Sequence, residues 1–536
     1  MRNETGISGL PVGYRVVVIT LDAHSAGPCD RAAARLLADF PGLSVDVHAA
    51  AEWGENPQAL VEAKAAIATA DIILVNLLFL EEHVQAILPS LEARRAGCDA
   101  LAGVISDAAI VKLTRMGTLD MLAPASGTMA LLKRLRGSSK PSSQNGESKM
   151  RMLRRLPKIL KYIPGKAQDL RAWFMVMQYW LGGSDTNIES MLRFLISRYC
   201  RIEAWQNCAA APPEDYPEVG LYHPDLPGKM TTDITALPVP QKPVATVGLL
   251  LMRSYVLSDD TAHYDAVIRN FEANGLKVIP AFAGGLDARP AIEGYFQGTA
   301  GVQIDAMVSL TGFSLVGGPA YNNSQAAIAL LENLDVPYIA AHPLEFQTLG
   351  QWANAEQGLG PIETTMLIAL PELDGATCPT VFAGRHGPEG CQGCLHKCQA
   401  AAQSRAMAPC HERIDSLAEK TLRAARLRQK RNHDKNVAIV LFGFPPNAGA
   451  TGTAAYLDVF ESLQNTLMQM KADGYDVALP ETVAHLRAAV LEGNAKQYGQ
   501  EANVEAIVSA EEIVRSTPPL KAIEAVWGPA PGRIQS

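Results

Sequence analysis

The chain has 536 residues, too many for one hydrophobic core, so about three or four α/β units are expected. Hydrophobic residues make up 48% and charged residues 19%, which excludes an intrinsically disordered chain. A formal net charge of −8 argues against general affinity for nucleic acid, which calls for a basic excess. No early segment combines a basic start, a long apolar core and a small-residue cleavage site. The longest apolar stretch, residues 72–80, is interrupted by Asn76 and too short to cross a bilayer. A cytoplasmic location is expected. Nine cysteines in a chain of this size do not suggest a disulfide scaffold; in a reducing compartment such thiols are free, catalytic or metal-bound.

In chain order, residues 16–20 read as a buried strand, 30–40 as a helix and 44–50 as a second strand. A helix at 57–69, a strand at 71–79, a helix at 81–95 and a strand at 101–106 follow. Continuous apolar strands separated by amphipathic helices predict a parallel sheet covered on both faces. The composition changes at 133–171, where twelve Lys or Arg face only two acids, Glu147 and Asp169, and 137–146 is a Ser/Gly/Pro-rich polar tract. That pattern reads as a solvated linker leading into a basic helix, or as a surface for a peripheral membrane or a partner. Trp173, Phe174, Tyr179 and Trp180 come next; at helical spacing they are core, or less readily a ligand platform.

A second α/β unit opens near Pro243, with strands at 245–252, 276–281, 304–310 and 336–341 and helices at 260–274 and 324–333. A third begins with a strand at 436–444, which runs through a Gly-containing loop at 443–452 into a helix at 453–472. That loop lies where an α/β sheet holds anions, between a strand's end and a helix N-terminus. It lacks Gly-Lys-Ser/Thr, as does every other segment, so ATP hydrolysis is expected of a separate subunit. The expected organisation is an N-terminal α/β domain at 1–132, a basic linker and helical segment at 133–240, a second α/β unit at 241–350, a Cys-containing insertion with a helix at 351–435, and a third α/β unit at 436–536. The fold class is α/β: several Rossmann-like parallel-sheet units joined by a basic helical linker.

The most chemically specific cluster is Cys391, Cys394, Cys398 and Cys410. Four thiolates within twenty residues suit an iron–sulfur cluster or a tetrahedral Zn²⁺, because soft sulfur ligands select those centres. His386, His396 and His411 are interleaved and are candidate substitutes for one ligand. A helix over 399–409 would carry Cys410 back towards the other three. Asp259, Asp260 and His263 open the helix after the strand at 245–252, where capping is the plain reading and a place at a ligand crevice the sharper one. His24 and His342 have similar standing. No Ser/His/Asp arrangement or metalloprotease motif occurs.

Several segments together resemble one family. They are Val247-Gly248-Leu249-Leu250-Leu251-Met252-Arg253, Asp259-Asp260-Thr261-Ala262-His263-Tyr264, Val278-Ile279-Pro280-Ala281-Phe282-Ala283-Gly284-Gly285-Leu286-Asp287 and Gly317-Gly318-Pro319-Ala320. Asp335-Val336-Pro337-Tyr338-Ile339, Phe346-Gln347, Gly443-Phe444-Pro445-Pro446-Asn447 and Gly452-Thr453-Ala454-Ala455-Tyr456-Leu457 continue the pattern. So does Leu156-Pro157-Lys158-Ile159-Leu160-Lys161-Tyr162 with Gln178-Tyr179-Trp180-Leu181-Gly182-Gly183. The chain resembles the N-terminal half of the large subunit of magnesium chelatase, and the cysteine insertion resembles only some members, mainly those of anoxygenic phototrophs. The resemblance implies a porphyrin-binding subunit that acts on Mg²⁺ and protoporphyrin IX. It implies ATP-driven AAA⁺ and integrin-like partner subunits, in chlorophyll or bacteriochlorophyll synthesis. The family's candidate acids lie mostly in the other half, so no catalytic base is expected here. Two alternatives stand beside this: a non-catalytic porphyrin-binding or partner-docking module, and a cobaltochelatase large subunit of cobalamin synthesis.

Overall fold

A computed structural model of the chain describes residues 13–21, 26–54, 56–123, 166–206, 208–285, 287–298, 301–317, 322–388, 390–391, 406–442, 453–454, 456–499, 502–517 and 519–528. The chain divides into two compact units, Met1–Arg426 and Leu427–Ser536.

The first unit holds two sheets. In the first, β1 (Tyr14–Thr20), β2 (Leu43–Ala49), β3 (Ile72–Asn76) and β4 (Ala100–Val104) are parallel in the order β2-β1-β3-β4. The short β5 (Arg115–Met116) and β6 (Leu119–Asp120) add an antiparallel edge. Alternation decides which residue goes to which face. Val16 and Val18 point into one core with Cys29 and Leu36 of the helix Ala26–Leu36, whereas Val17 and Ile19 point into another with Ile67 and Ile87. Both faces are apolar, as the unbroken hydrophobic strands require.

The helices Lys166–Gly182 and Asp185–Tyr199 pack on the first of these faces. Trp173, Phe174, Tyr179 and Trp180 are all buried there, and the Trp173 indole N–H donates to the Gly103 carbonyl at 2.9 Å. The ligand platform considered for these aromatics is therefore corrected: their rings are core. A contact-free ligand face would leave them exposed, and the periodicity at 173–180 serves packing instead. Residues 133–165 of the basic tract lie outside the described residues.

The second sheet runs β16-β15-β14-β13-β9-β10-β7-β8. Its strands are β7 (Val219–Tyr222), β8 (Met230–Thr231), β9 (Ala245–Met252), β10 (Leu276–Ala283), β13 (Ala306–Ser309), β14 (Tyr338–Thr348), β15 (Thr377–Arg385) and β16 (Ala408–Pro409). A small hairpin, β11 (Gln297–Gly298) and β12 (Gly301–Val302), lies between β10 and β13. The central five, β15-β14-β13-β9-β10, are parallel. The sheet thus continues past residue 350, where a unit boundary was expected, and closes only at β16. Val247, Leu249 and Leu251 face one core with Tyr264, Ile268 and Phe271 of the helix Ala262–Ala273, while Leu250 faces the other with Phe296 and Leu330. Gly248 in mid-strand has a packing reason: a Cβ there would lie 2.7 Å from the Phe296 ring.

In the second unit, described elements are the hairpin β17 (Thr453–Ala454) and β18 (Leu457–Asp458) and the helices Val459–Ala472, Val483–Leu491, Ala495–Tyr498, Ala510–Ser516 and Pro519–Trp527. Residues 436–442, expected as a strand, form neither strand nor helix and pair with no strand among the described residues. No helix among the described residues is long and apolar enough to cross a membrane.

Candidate functional site

The strand order of the second sheet selects where a ligand would sit. From β9 the chain goes to β10 on one side, then crosses back to β13 on the other, so the crossovers diverge between β9 and β13. At such a switch point the loops leave in opposite directions and open a crevice at the carboxyl ends of the strands. A small cleft, partly open to solvent, lies there. Leu250, Leu251 and Met252 form its apolar wall, and Phe313, Asp287, Thr311 and Ser314 sit at its rim.

The rim is held by buried polar contacts. Ser314 Oγ donates to Asp374 at 2.6 Å and the Leu315 N–H donates to the same carboxylate oxygen at 2.9 Å. Asp287 is turned towards Arg289, accepting its backbone N–H at 3.0 Å and its Nε at 2.9 Å. Gly312 takes φ +71°, and a Cβ there would meet His342 at 3.1 Å and Leu367 at 3.0 Å. His342 lies beneath this loop, 1% exposed, with neither ring nitrogen hydrogen-bonded among the described residues. Burial lowers its pKa to about 4, so the imidazole is neutral.

A second polar group gathers where β9, β14 and β15 end. The Tyr255 hydroxyl donates to Glu345, and Arg385 donates to the Glu345 carbonyl at 3.0 Å and carboxylate at 3.3 Å. Glu363 accepts the backbone N–H groups of Glu345 and Phe346 at 3.1 and 3.0 Å, and burial pushes its pKa up. His263 is fully buried among Tyr255, Tyr264 and Phe382, with ring centroids 5.1, 3.9 and 5.8 Å away. Its nitrogens find no hydrogen-bond partner among the described residues; burial, then the nearby Arg385 charge, lowers its pKa to about 3.

Beside this group the chain leaves the sheet after Arg385 and returns at β16, antiparallel to β15. Cys391 on the outgoing side and Cys410 on the return are both buried, in one small cluster with Leu344, Leu349 and Val381. The Cys410 N–H donates to the Phe382 carbonyl at 2.9 Å.

With this geometry in place, comparison with known proteins is decisive at the level of family. Residues 177–536 match the family described as CobN/Magnesium Chelatase, and residues 15–174 match a domain of unknown function, DUF3479. The chain belongs to the CobN/magnesium chelatase family. It is similar to the magnesium-chelatase H subunit of Cereibacter sphaeroides, with 64% identity over 99% of this chain and 45% of that protein. The corresponding protein of Rhodobacter capsulatus is 60% identical over 98% of this chain and 44% of its own length. The aerobic cobaltochelatase subunit CobN of Pseudomonas aeruginosa is 29% identical over 59% of this chain. Among solved structures, the catalytic subunit of cobaltochelatase from Mycobacterium tuberculosis covers 97% of this chain and 36% of its own, with TM-score 0.52 and 18% identity, a likeness of fold. The chain spans under half the length of the magnesium-chelatase relatives it matches.

For this member of the CobN/magnesium chelatase family, the fate of each expected site residue can be stated. Cys391 and Cys410 are brought together; Cys394, Cys398 and His396 lie outside the described residues, as do His24 and the loop 443–452. Residues 399–405 of the expected helix also lie outside, and its last part, Ala408–Pro409, is strand β16. Asp260 caps no helix; it accepts the Met407 N–H at 3.0 Å. Asp259, at φ +55°, pairs with Lys229 at 2.6 Å. Sequence reasoning missed Tyr255, Glu345 and Arg385. One signal was available: Glu345 is the first carboxylate of β14, in the carboxyl half of a strand whose preceding residues are apolar apart from His342.

Proposed function

We propose that the chain is part of the porphyrin-binding subunit of a magnesium chelatase, which inserts Mg²⁺ into protoporphyrin IX for chlorophyll or bacteriochlorophyll synthesis. The observation that carries this reading is 64% identity to a magnesium-chelatase H subunit along 99% of the chain. Cobaltochelatase, the alternative within the family, has the weaker claim at 29% identity over 59% of the chain. In this reading Mg²⁺ and the macrocycle are substrates, and ATP is hydrolysed by AAA⁺ and integrin-like partner subunits, since this sequence has no Gly-Lys-Ser/Thr loop.

The cleft between β9 and β13 is the place we assign to the ligand. The half-buried Met252 and Phe313 offer apolar surface to the edge of a flat macrocycle, and Thr311 offers a hydroxyl beside them. Insertion requires two pyrrole protons to leave and Mg²⁺ to shed tightly held water. No residue described here is given the role of base.

Cys391, Cys394, Cys398 and Cys410 are proposed as ligands of an iron–sulfur cluster, with Zn²⁺ as the competing occupant. The fit rests on the donor set and on the convergence of Cys391 and Cys410 in one buried cluster. A cluster there would supply a redox-active cross-link of the loop to the sheet edge.

The test is reconstitution. Alone, the chain should bind protoporphyrin IX, seen as fluorescence quenching that Phe313→Ala weakens, with no ATPase and no Mg²⁺ insertion. Turnover by the pure chain without other subunits would overturn the partial-subunit reading. Porphyrin binding with no Mg-porphyrin fluorescence, even after the partner subunits, ATP and the remaining polypeptide of a relative are added, would leave a binding module.

A further inference from the structure

The second unit, Leu427–Ser536, carries an interaction surface that the proposed activity does not explain. Residues 436–442 include Val437, Ile439, Val440 and Phe442, exposed by 55, 45, 89 and 74%. With Ala438 and Leu441 they form an unbroken apolar run. Such a run is the pattern of a central parallel strand, buried on both faces, and not of an edge strand, which alternates or carries charge.

Two more segments that lie outside any helix share its situation. Residues 475–480 and 503–508 pair with no strand among the described residues, and Ile507 and Val508 are 70 and 49% exposed. Each of the three segments precedes a helix: Val459–Ala472, Val483–Leu491 and Ala510–Ser516. Non-helical and helical segments therefore alternate, the order that a parallel α/β sheet would need. The helices are formed and locally tied: Gln464 donates to the Pro480 carbonyl at 2.6 Å, and the Arg487 guanidinium lies over the Phe460 ring. Yet the buried apolar side chains among the described residues of this unit are Phe460, Leu486 and Ala495. A sheet with so small a core is missing its neighbours.

We propose that residues 436–442, 475–480 and 503–508 are strands of an unfinished parallel sheet, completed by polypeptide of the kind that the longer relatives carry beyond the matched stretch. The relatives supply the reason for this occupant: more than half of their length lies outside the match, since this chain covers 45 and 44% of theirs. The continuous apolarity of 437–442 supplies its chemistry. A single added edge strand would pair one side and leave both faces wet, so the partner brings hydrophobic strands together with the helices that cover them. The inference rests on family membership and not on the reading of the ligand cleft.

The test adds the remaining polypeptide of the Cereibacter sphaeroides relative, produced separately, to the intact chain. A one-to-one complex is expected by light scattering, with amide exchange at 437–442 slowed by about 100-fold or more. Val440→Asp and Phe442→Ser should each weaken the complex by about 100-fold, while Val61→Asp, a control in the first unit, should not. Circular dichroism of each variant checks that its helices persist. Amides at 437–442 already protected in the isolated monomer would overturn the proposal, because the chain would then cover them itself. Concentration-dependent dimerisation that protects them would overturn it in favour of a second copy. A complex that tolerates Val440→Asp and Phe442→Ser would overturn it as well.

Discussion

The carboxylate of Asp260 accepts the backbone N–H of Met407 at 3.0 Å, three residues before Cys410. The contact spans 147 residues and fastens the returning arm of the cysteine loop to the start of the helix Ala262–Ala273. An ionised acceptor makes this a charge-assisted hydrogen bond. Asp260→Ala should leave the Met407 N–H without its acceptor and cost about 1–3 kcal/mol in urea unfolding. Amide exchange at Met407 should accelerate in the variant. Unchanged exchange at Met407 would show that β16 is held without Asp260.

Arg31 links three elements. Its guanidinium grips Asp185 through two bonds of 2.6 and 2.7 Å, and also donates to the Ser258 carbonyl at 2.7 Å. The Asp185 partnership keeps its pKa above the ordinary arginine value. Because the pair is partly exposed, the ion-pair share is small, about 1 kcal/mol or less. With the Ser258 bond included, Arg31→Ala should destabilise the first unit by about 1–2 kcal/mol. Arg31→Lys should recover little, since an ammonium cannot hold both carboxylate oxygens and the carbonyl in one plane. A double-mutant cycle with Asp185→Ala measures the shared part, and additivity within error would dismiss the pairing.

The buried histidines set a pH dependence with a definite sign. His263 and His342 titrate at about 3 and about 4 in the folded chain, both through burial, against about 6.5 when unfolded. The unfolded chain therefore takes up protons that the folded chain refuses. Their stabilising contribution is complete above pH 6.5 and falls as pH drops below it, by about 1.4 kcal/mol per unit for each histidine. Glu363, with its raised pKa, works in the opposite direction and offsets part of this. Asp169, whose pKa is depressed, adds its own loss only near and below pH 4. Melting temperatures between pH 7 and 5 should fall, and His263→Phe, which keeps a ring among Tyr255, Tyr264 and Phe382, should flatten that fall by about half. An unaltered slope in the variant would place the titration elsewhere.

How far the sequence revealed this molecule depended on whether a segment's burial is local. β9, Ala245–Met252, was legible to the residue, because a run with Thr246 as its one polar side chain stops at Arg253 and reads as a strand buried on both faces. The helix Pro57–Thr69 was equally plain, with Asn56 as its cap and Pro57 in its first turn. Residues 436–442 carry the same signal and pair with nothing described, since strand formation needs neighbours that local pattern cannot supply. The site was harder. Glu345 and Arg385 are forty residues apart and meet only because β14 and β15 are adjacent. The cleft follows from strand order, which sequence spacing does not encode. The aromatic stretch at 173–180 shows the converse: a pattern with two readings, which burial decided in favour of core.

Gly103 tests the packing of β4. A Cβ at this position would lie 2.7 Å from the Ile110 carbonyl oxygen, a backbone atom that cannot rotate away. The residue also accepts the Trp173 indole N–H, and the Thr114 side chain bonds its backbone N–H at 3.0 Å. Gly103→Ala should push the helix Ala108–Lys112 off the strand and cost about 1–3 kcal/mol, measured by thermal unfolding. Gly54, with open space around it, is the control, and Gly54→Ala should be nearly neutral.

The cysteine loop offers the most direct chemical test. Cys391 and Cys410 enter one apolar cluster from opposite arms of a loop that leaves and rejoins the sheet edge. If a metal centre closes that loop, binding it stabilises the folded arms, and its removal should loosen β16 together with the Asp260 contact. Protein purified without oxygen should be brown, with iron and acid-labile sulfide in comparable amounts, and should bleach in air. Cys391→Ala and Cys410→Ala should each abolish the colour. They should also speed amide exchange at Met407 without changing exchange in β1 or β3, a local readout independent of any activity. Stoichiometric zinc without iron would replace the cluster by a structural zinc site. Metal-free protein whose Met407 exchange is indifferent to both substitutions would reduce Cys391 and Cys410 to two buried thiols.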